Sequence, residues 1–199
     1  MQFMVGGLAR VIAWLRGDPE SLSVVKSMKG LLEAQDIVIV LPDPGSKVRC
    51  DVVVEPLESV PVEFNVEAPA SVRDPDPWRA LFKALSAPGA FKTLRIGIDP
   101  GAMCSIAAYA DNILVWLEKV ECREVGPRVK WLVEVVGAES HKVNLGGGAG
   151  FGEAASSISG EGLAFTIALE SWTTSRPVQS KVKVKDSDLL AAMTIALYR

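Results

Sequence analysis

Three carboxylates stand where apolar runs end or begin in this 199-residue chain. Asp99 follows Leu94–Ile98 and precedes Pro100-Gly101, Glu170 follows Ala164–Leu169, and Asp188 sits near the start of the stretch 186–198. Carboxylates that converge from separate elements are what a hard cation needs. Mg²⁺ (or Mn²⁺) takes oxygen ligands and keeps some of its water. Two such ions about 3.5–4 Å apart can clamp the attacking and leaving oxygens of a phosphodiester. A second reading is open for each acid. Asp99 can cap the amides of its own turn, and Glu170 can be a surface acid at a strand end. Asp186 and Asp188 can be the N-cap and first-turn acids of a helix. Their i, i+2 spacing puts them on different helix faces, so the spacing expects Asp188 at the site and Asp186 turned away as the cap.

Other residues are placed to touch a substrate. Lys181, Lys183 and Lys185 alternate with valines after Arg176 and just before Asp186. In an extended chain they share one face and reach phosphates, or they are the charged rim of an edge strand. Trp172, two residues from Glu170, can stack on a base, whereas the pattern around Trp14, Trp78, Trp116 and Trp131 is that of core residues. Gly146–Gly152 and Gly6-Gly7 lack the spacing of a phosphate-binding fingerprint and read as a flexible loop and a tight turn. The single histidine, His141, rules out a zinc site of several histidines and weighs against a Ser–His–Asp triad, which would have to use that one residue.

The elements that must position these groups fall into two sets. In the first half, Phe3–Val5 reads as a short strand, Leu8–Leu15 as a helix and Asp18-Pro19-Glu20 as a helix start. Asp36–Leu41, Asp51–Val54 and Pro61–Val66 read as strands. Pro69, Pro75 and Pro77 break the stretch 68–77, and a short helix, Trp78–Ser86, follows. The second half reads as strands Leu94–Ile98, Met103–Ala110 and Ile113–Val120, with Asp111-Asn112 as a turn. A helix from Pro127 at its first position to Val136, a strand His141–Leu145, a helix Gly152–Ile158, a strand Ala164–Leu169 and a closing helix Asp186–Tyr198 complete it. The short Asp-Pro-Gly link predicts Leu94–Ile98 antiparallel to Met103–Ala110, and the helical crossover predicts it parallel to His141–Leu145. The expected organisation is α/β, with an N-terminal α/β domain over 1–91 and a mixed-sheet domain over 92–199.

The order β-β-β-α-β-α-β-α, opened by Ile-Gly-Ile-Asp-Pro-Gly at 96–101, resembles the ribonuclease H-like superfamily. Within it the chain looks like RuvC-type Holliday-junction resolvases and YqgF-type resolvase-like proteins. Leu169–Thr174 is similar to the Asp-Glu-Arg-x-Thr-Thr segment of the YqgF type, and Asp188–Leu197 to the acidic start of the last helix in both groups. RuvC-type enzymes carry an acid on the fourth strand, where this chain has Asn144, and Ser171 stands in the place of the YqgF-type arginine. The resemblance covers about 93–199. It implies a ribonuclease H-like mixed sheet and a Mg²⁺-dependent nuclease acting on structured nucleic acid through Asp99, Glu170 and Asp188, with two bound ions. Resolution of two symmetric strands implies a homodimer. A non-catalytic binding module of the same fold is the alternative, and an actin-like or sugar-kinase-like phosphotransferase ranks third, because the first half lacks a matching phosphate loop.

Composition bounds the rest. Hydrophobic residues at 49% against 23% charged supply a packed core and exclude global disorder. A net charge of −3 excludes a basic carpet, so a nucleic-acid site must be local. No apolar run approaches the roughly 18 residues of a membrane span, and Met1–Leu15 lacks the layout of a secretory signal. Cys50, Cys104 and Cys122 lie far apart with no CxxC pair, so the sequence predicts reduced thiols in a cytoplasmic protein.

Overall fold

A computed structural model describes residues 9–58, 64–168 and 181–198. The chain divides into two compact units, Met1–Ala90 and Phe91–Arg199. Among the described residues no helix is long and apolar enough to cross a membrane.

The first unit is built on β1 (Arg10–Trp14), α1 (Pro19–Glu33), β2 (Ile37–Val40), β3 (Lys47–Arg49), β4 (Val52–Val54), β5 (Asn65–Glu67), β6 (Ala70–Val72) and α2 (Pro77–Ser86). Four strands form a parallel sheet in the order β2-β1-β4-β6, and β3 and β5 form a separate two-stranded ribbon. Within the segment expected as the helix Leu8–Leu15, Arg10–Trp14 form the strand β1. Its apolar residues satisfy a helical spacing only because a central parallel strand is apolar on both faces, and Ile12, Ala13 and Trp14 are all buried. The start of α1 is as its sequence predicts: the Asp18 carboxylate accepts the Ser21 amide at 2.8 Å, with Pro19 in the first turn. The proline-marked stretch 68–77 contains a strand after all. Pro69 and Pro75 flank β6 without interrupting it, and β6 lies at the sheet edge. Phe3–Val5, Gly6-Gly7 and residues 61–63 of the expected strand Pro61–Val66 fall outside the described residues, while Asn65 and Val66 lie in β5.

The second unit runs β7 (Thr93–Pro100), β8 (Cys104–Ala110), β9 (Ile113–Val120), a 3₁₀ turn at Cys122–Glu124, α3 (Val125–Val136), β10 (Ser140–Leu145), α4 (Phe151–Gly160), β11 (Thr166–Ile167) and α5 (Ser187–Ala196). Its mixed sheet has the order β11-β10-β7-β8-β9. The central β7 pairs antiparallel with β8 and parallel with β10, the two pairings its links predict. Asp111 takes a positive φ of 52° in the β8–β9 turn, and its carboxylate accepts the Thr93 amide at 3.0 Å. Leu94, Ile96 and Ile98 are fully buried on one face of β7. On the other face Gly97 admits α5. A β-carbon there would lie 2.7 Å from the Ala196 Cα and closer still to backbone atoms of Ala192 and Ala196. The helix expected to open on Pro127 begins two residues earlier, at Val125, so Pro127 is its third residue and still needs no amide partner.

Cys104 and Cys122 form a disulfide that spans 18 residues, which corrects the reading of these two as reduced thiols; Cys50 is free. They are distant in sequence because the whole β8–β9 hairpin lies between them, and pairing the strands brings Cys104 back beside the turn after Val120. Closing a loop of that length restricts the unfolded chain by about 3 kcal/mol. The Cys104→Ala, Cys122→Ala double variant is therefore expected to unfold about 3 kcal/mol more easily in urea. Equal midpoints for the two proteins under oxidising conditions would contradict the bond.

Candidate functional site

The site grows from one cross-strand row. Asp99 near the end of β7 is opposite Ser105 on β8, and Ser105 is opposite Lys119 on β9. Residues directly opposite share a face, so these three side chains stand side by side on the face that receives α5. A bulge at Ala108/Tyr109 makes this row. Continued from the pair Ala110↔Ile113, the regular register would put Glu118 opposite Ser105. The extra residue sends Glu118 to the other face, where it pairs with Arg128 at 2.9 Å, and turns Lys119 toward Asp99.

The first turn of α5 supplies the remaining acids. Asp186 is the N-cap and accepts the amides of Asp188 and Leu189 at 3.0 and 3.2 Å. Lys119 Nζ lies 2.7 Å from the Asp186 carboxylate and 2.8 Å from that of Asp188. Asp186 is thus the cap, as expected, but it is not turned away. It precedes the first helical residue, so the helical wheel does not govern its direction, and both acids reach one lysine. Burial raises the pKa of Asp99 above the ordinary aspartate range, the charge of Asp188 raises it further, and Lys119 opposes them. Hydrogen bonding to Lys119, then to the Leu189 amide, holds Asp186 below that range, and the two acids in turn raise Lys119.

The structure thus brings Asp99 and Asp188 to one face with Asp186. Glu170, Trp172 and Arg176 lie outside the described residues. Lys181, Lys183 and Lys185 are exposed while Val182 and Val184 are half-buried, and the segment belongs to no strand among the described residues, which removes the edge-strand reading. No group of three or more His, Cys, Asp and Glu that could hold a metal ion occurs among the described residues.

Asn144 is fully buried and faces the end of α5, donating to the carbonyls of Ile195 at 3.0 Å and Tyr198 at 3.1 Å. An aspartate there would set a carboxylate against two carbonyl oxygens. The Asn144→Asp variant is expected to lose at least about 2 kcal/mol of stability at neutral pH. Because burial raises the folded pKa of the new acid, the loss should develop as pH rises from its unfolded pKa through its folded one. A pH-independent loss in urea titrations would show that packing, not charge, decides this position.

The glycine-rich loop after β10 is packed, not loose. The Gly146 amide donates to the Ile98 carbonyl at 2.9 Å, and a β-carbon at Gly150 would lie 2.6 Å from Cys122 Sγ and 2.7 Å from the Gly101 carbonyl. Its glycines let the loop lie against the Asp99-Pro100-Gly101 turn. Ser105 and Lys119 were not singled out in the sequence. Lys119 carries one signal, a lysine inside the apolar run of β9, but its face depends on the bulge. No protein-family model, curated protein or solved structure matches the chain.

Proposed function

We propose that the second unit is a ribonuclease H-like domain that hydrolyses phosphodiester bonds in structured nucleic acid with the help of Mg²⁺. The observation that carries this reading is the row at the carboxyl end of the central strand, in which Asp99 stands in line with Ser105 and Lys119, and Lys119 holds Asp188 at 2.8 Å. The three-strand meander followed by parallel strands supports it, with Asp99 near the end of the central strand of that sheet. The donor set fits the ion: it offers carboxylate oxygens without histidine or thiolate, which suits Mg²⁺ or Mn²⁺ over zinc. Asp99 and Asp188 would hold one ion, and a two-ion site would draw on Glu170 as well. When bound, the cation supplies charge neutralisation at the phosphoryl group.

This chain's own residues do the rest. Exposed Lys181, Lys183 and Lys185 lead directly into Asp186, so a backbone phosphate held by them is delivered beside the acids. Trp172, by its place in sequence, would stack on a neighbouring base. A substrate with two symmetric strands would call for a dimer.

One observation favours a second reading, a binding module of the same fold that does not cut. Lys119 already pairs with both Asp186 and Asp188 and offsets one of their two charges. The test is cleavage of labelled four-way junctions, flapped duplexes and RNA–DNA hybrids with Mg²⁺ or Mn²⁺, with EDTA as control. Metal-dependent cleavage of any of these supports the nuclease. Binding without cleavage, across both metals, supports the module.

A further inference from the structure

Ser105 is the unexplained member of the row that links Asp99 to Lys119. It is fully buried, and its hydroxyl has no hydrogen-bond partner among the described residues. A buried hydroxyl without a partner costs stability. Lys119 does not relieve it: its ammonium lies on Asp186 and Asp188 and makes no bond to this hydroxyl. The hydroxyl therefore stands among charged groups and is used by none of them. Lys119 has its own logic. Acids gathered on one face repel, and a counter-charge must be supplied. A lysine does that with one charge, and a divalent cation would do it with two, through the same carboxylate oxygens.

We propose that Asp99, Asp188 and Ser105 line one divalent-cation site. In it the Ser105 hydroxyl is a positioning group that hydrogen-bonds water carried by the cation, and Lys119 is the built-in competitor. The lysine pairs with Asp186 and Asp188 when no cation does, and yields Asp188 to one that enters. This inference rests on the reading of this face as a Mg²⁺ site. It adds two residues to it and predicts that metal affinity is set by a contest between lysine and cation.

The experiment is a Mn²⁺ titration of the full chain by calorimetry, with melting temperatures recorded in EDTA. Ser105→Ala is expected to melt at the same or a higher temperature without metal and to bind Mn²⁺ about tenfold more weakly, the lower end of what outer partners of a metal contribute. Lys119→Met is expected to bind Mn²⁺ about fivefold more tightly, the scale of one partly exposed ion pair. Lys119→Arg, which keeps the charge, should bind like the wild type. If Lys119→Met does not fold, Lys119→Met with Asp186→Asn carries the same comparison at balanced charge. Unchanged affinity in Ser105→Ala, or a lower metal-free melting temperature, overturns the role of Ser105. Unchanged affinity on loss of the lysine charge, or tightening in Lys119→Arg, overturns the competition. Either result alongside metal-dependent cleavage leaves the nuclease reading standing. The expected affinities without cleavage of any substrate leave the site and remove the nuclease. No Mn²⁺ binding by any of these proteins removes both.

Discussion

Asp99→Asn is expected to abolish metal-dependent cleavage and to raise the melting temperature in EDTA. Both effects follow from one placement. Asp99 lies near the carboxyl end of the central strand, beside Ser105 and in the field of Asp188. Removing its charge takes away the group that anchors the cation, so activity should fall by about 10³-fold or more, the scale of losing charge stabilisation at a phosphoryl group. The stability effect has the opposite sign. Burial, and then Asp188, raise the folded pKa of Asp99 above its unfolded value. The ionised carboxylate is therefore a liability to the folded state. That liability is absent below the unfolded pKa, grows as pH rises through the window up to the folded pKa, and persists above it. The melting advantage of Asp99→Asn should accordingly be near zero at strongly acidic pH and reach its full size near neutrality. A variant that cuts normally removes Asp99 from the chemistry. One that melts lower at neutral pH identifies Asp99 as a turn cap, whose carboxylate the fold needs.

Gly97→Val is expected to destabilise the second unit more than any single loss of a surface contact, by about 3 kcal/mol or more. The atoms it meets are backbone. The β-carbon alone would sit 2.7 Å from the Ala196 Cα, with Ala192 and Ala196 backbone atoms nearer still, so no side-chain rotation relieves the clash. Either β7 or α5 must move. A shift of α5 carries with it the Asp186 cap and the Asp188 carboxylate that Lys119 holds. Moving it draws Asp188 away from the row of Asp99, Ser105 and Lys119, so metal affinity should weaken even where Gly97→Val remains folded. Gly97→Ala should show the same pattern at smaller amplitude. Urea midpoints and Mn²⁺ titrations read the two effects separately. A Gly97→Val protein as stable as the wild type would mean that α5 does not lie against this face.

The local signals in the chain were strong where physics is local. Asp18 with Pro19 and Asp186 with the first turn of α5 set helix starts that need no tertiary partner, because the cap accepts amides two or three residues away. The β8–β9 turn at Asp111 and the central position of β7 were legible for the same reason: a short link forces antiparallel neighbours, and a helical crossover forces parallel ones. The sequence by itself also placed Asp99 at a strand end and Asp188 in a first helical turn.

What it did not determine was anything that depends on which face a residue meets. Leu8–Leu15 satisfied a helical spacing, yet Arg10–Trp14 within it folded as β1, since a strand covered on both sides carries no alternation to distinguish it. Cys104 and Cys122 looked unrelated until strand pairing joined the ends of the hairpin between them. Asp186 was assigned away from the site by a helical wheel that does not apply to a residue preceding the helix. The bulge at Ala108/Tyr109 is the sharpest case. One extra residue turns Lys119 toward Asp99 and Glu118 away, and so replaces a fourth acid on that face by a cation. Strand faces alternate with a period of two, so a shift of one residue inverts every assignment beyond it. Only the packed sheet decides where that shift falls.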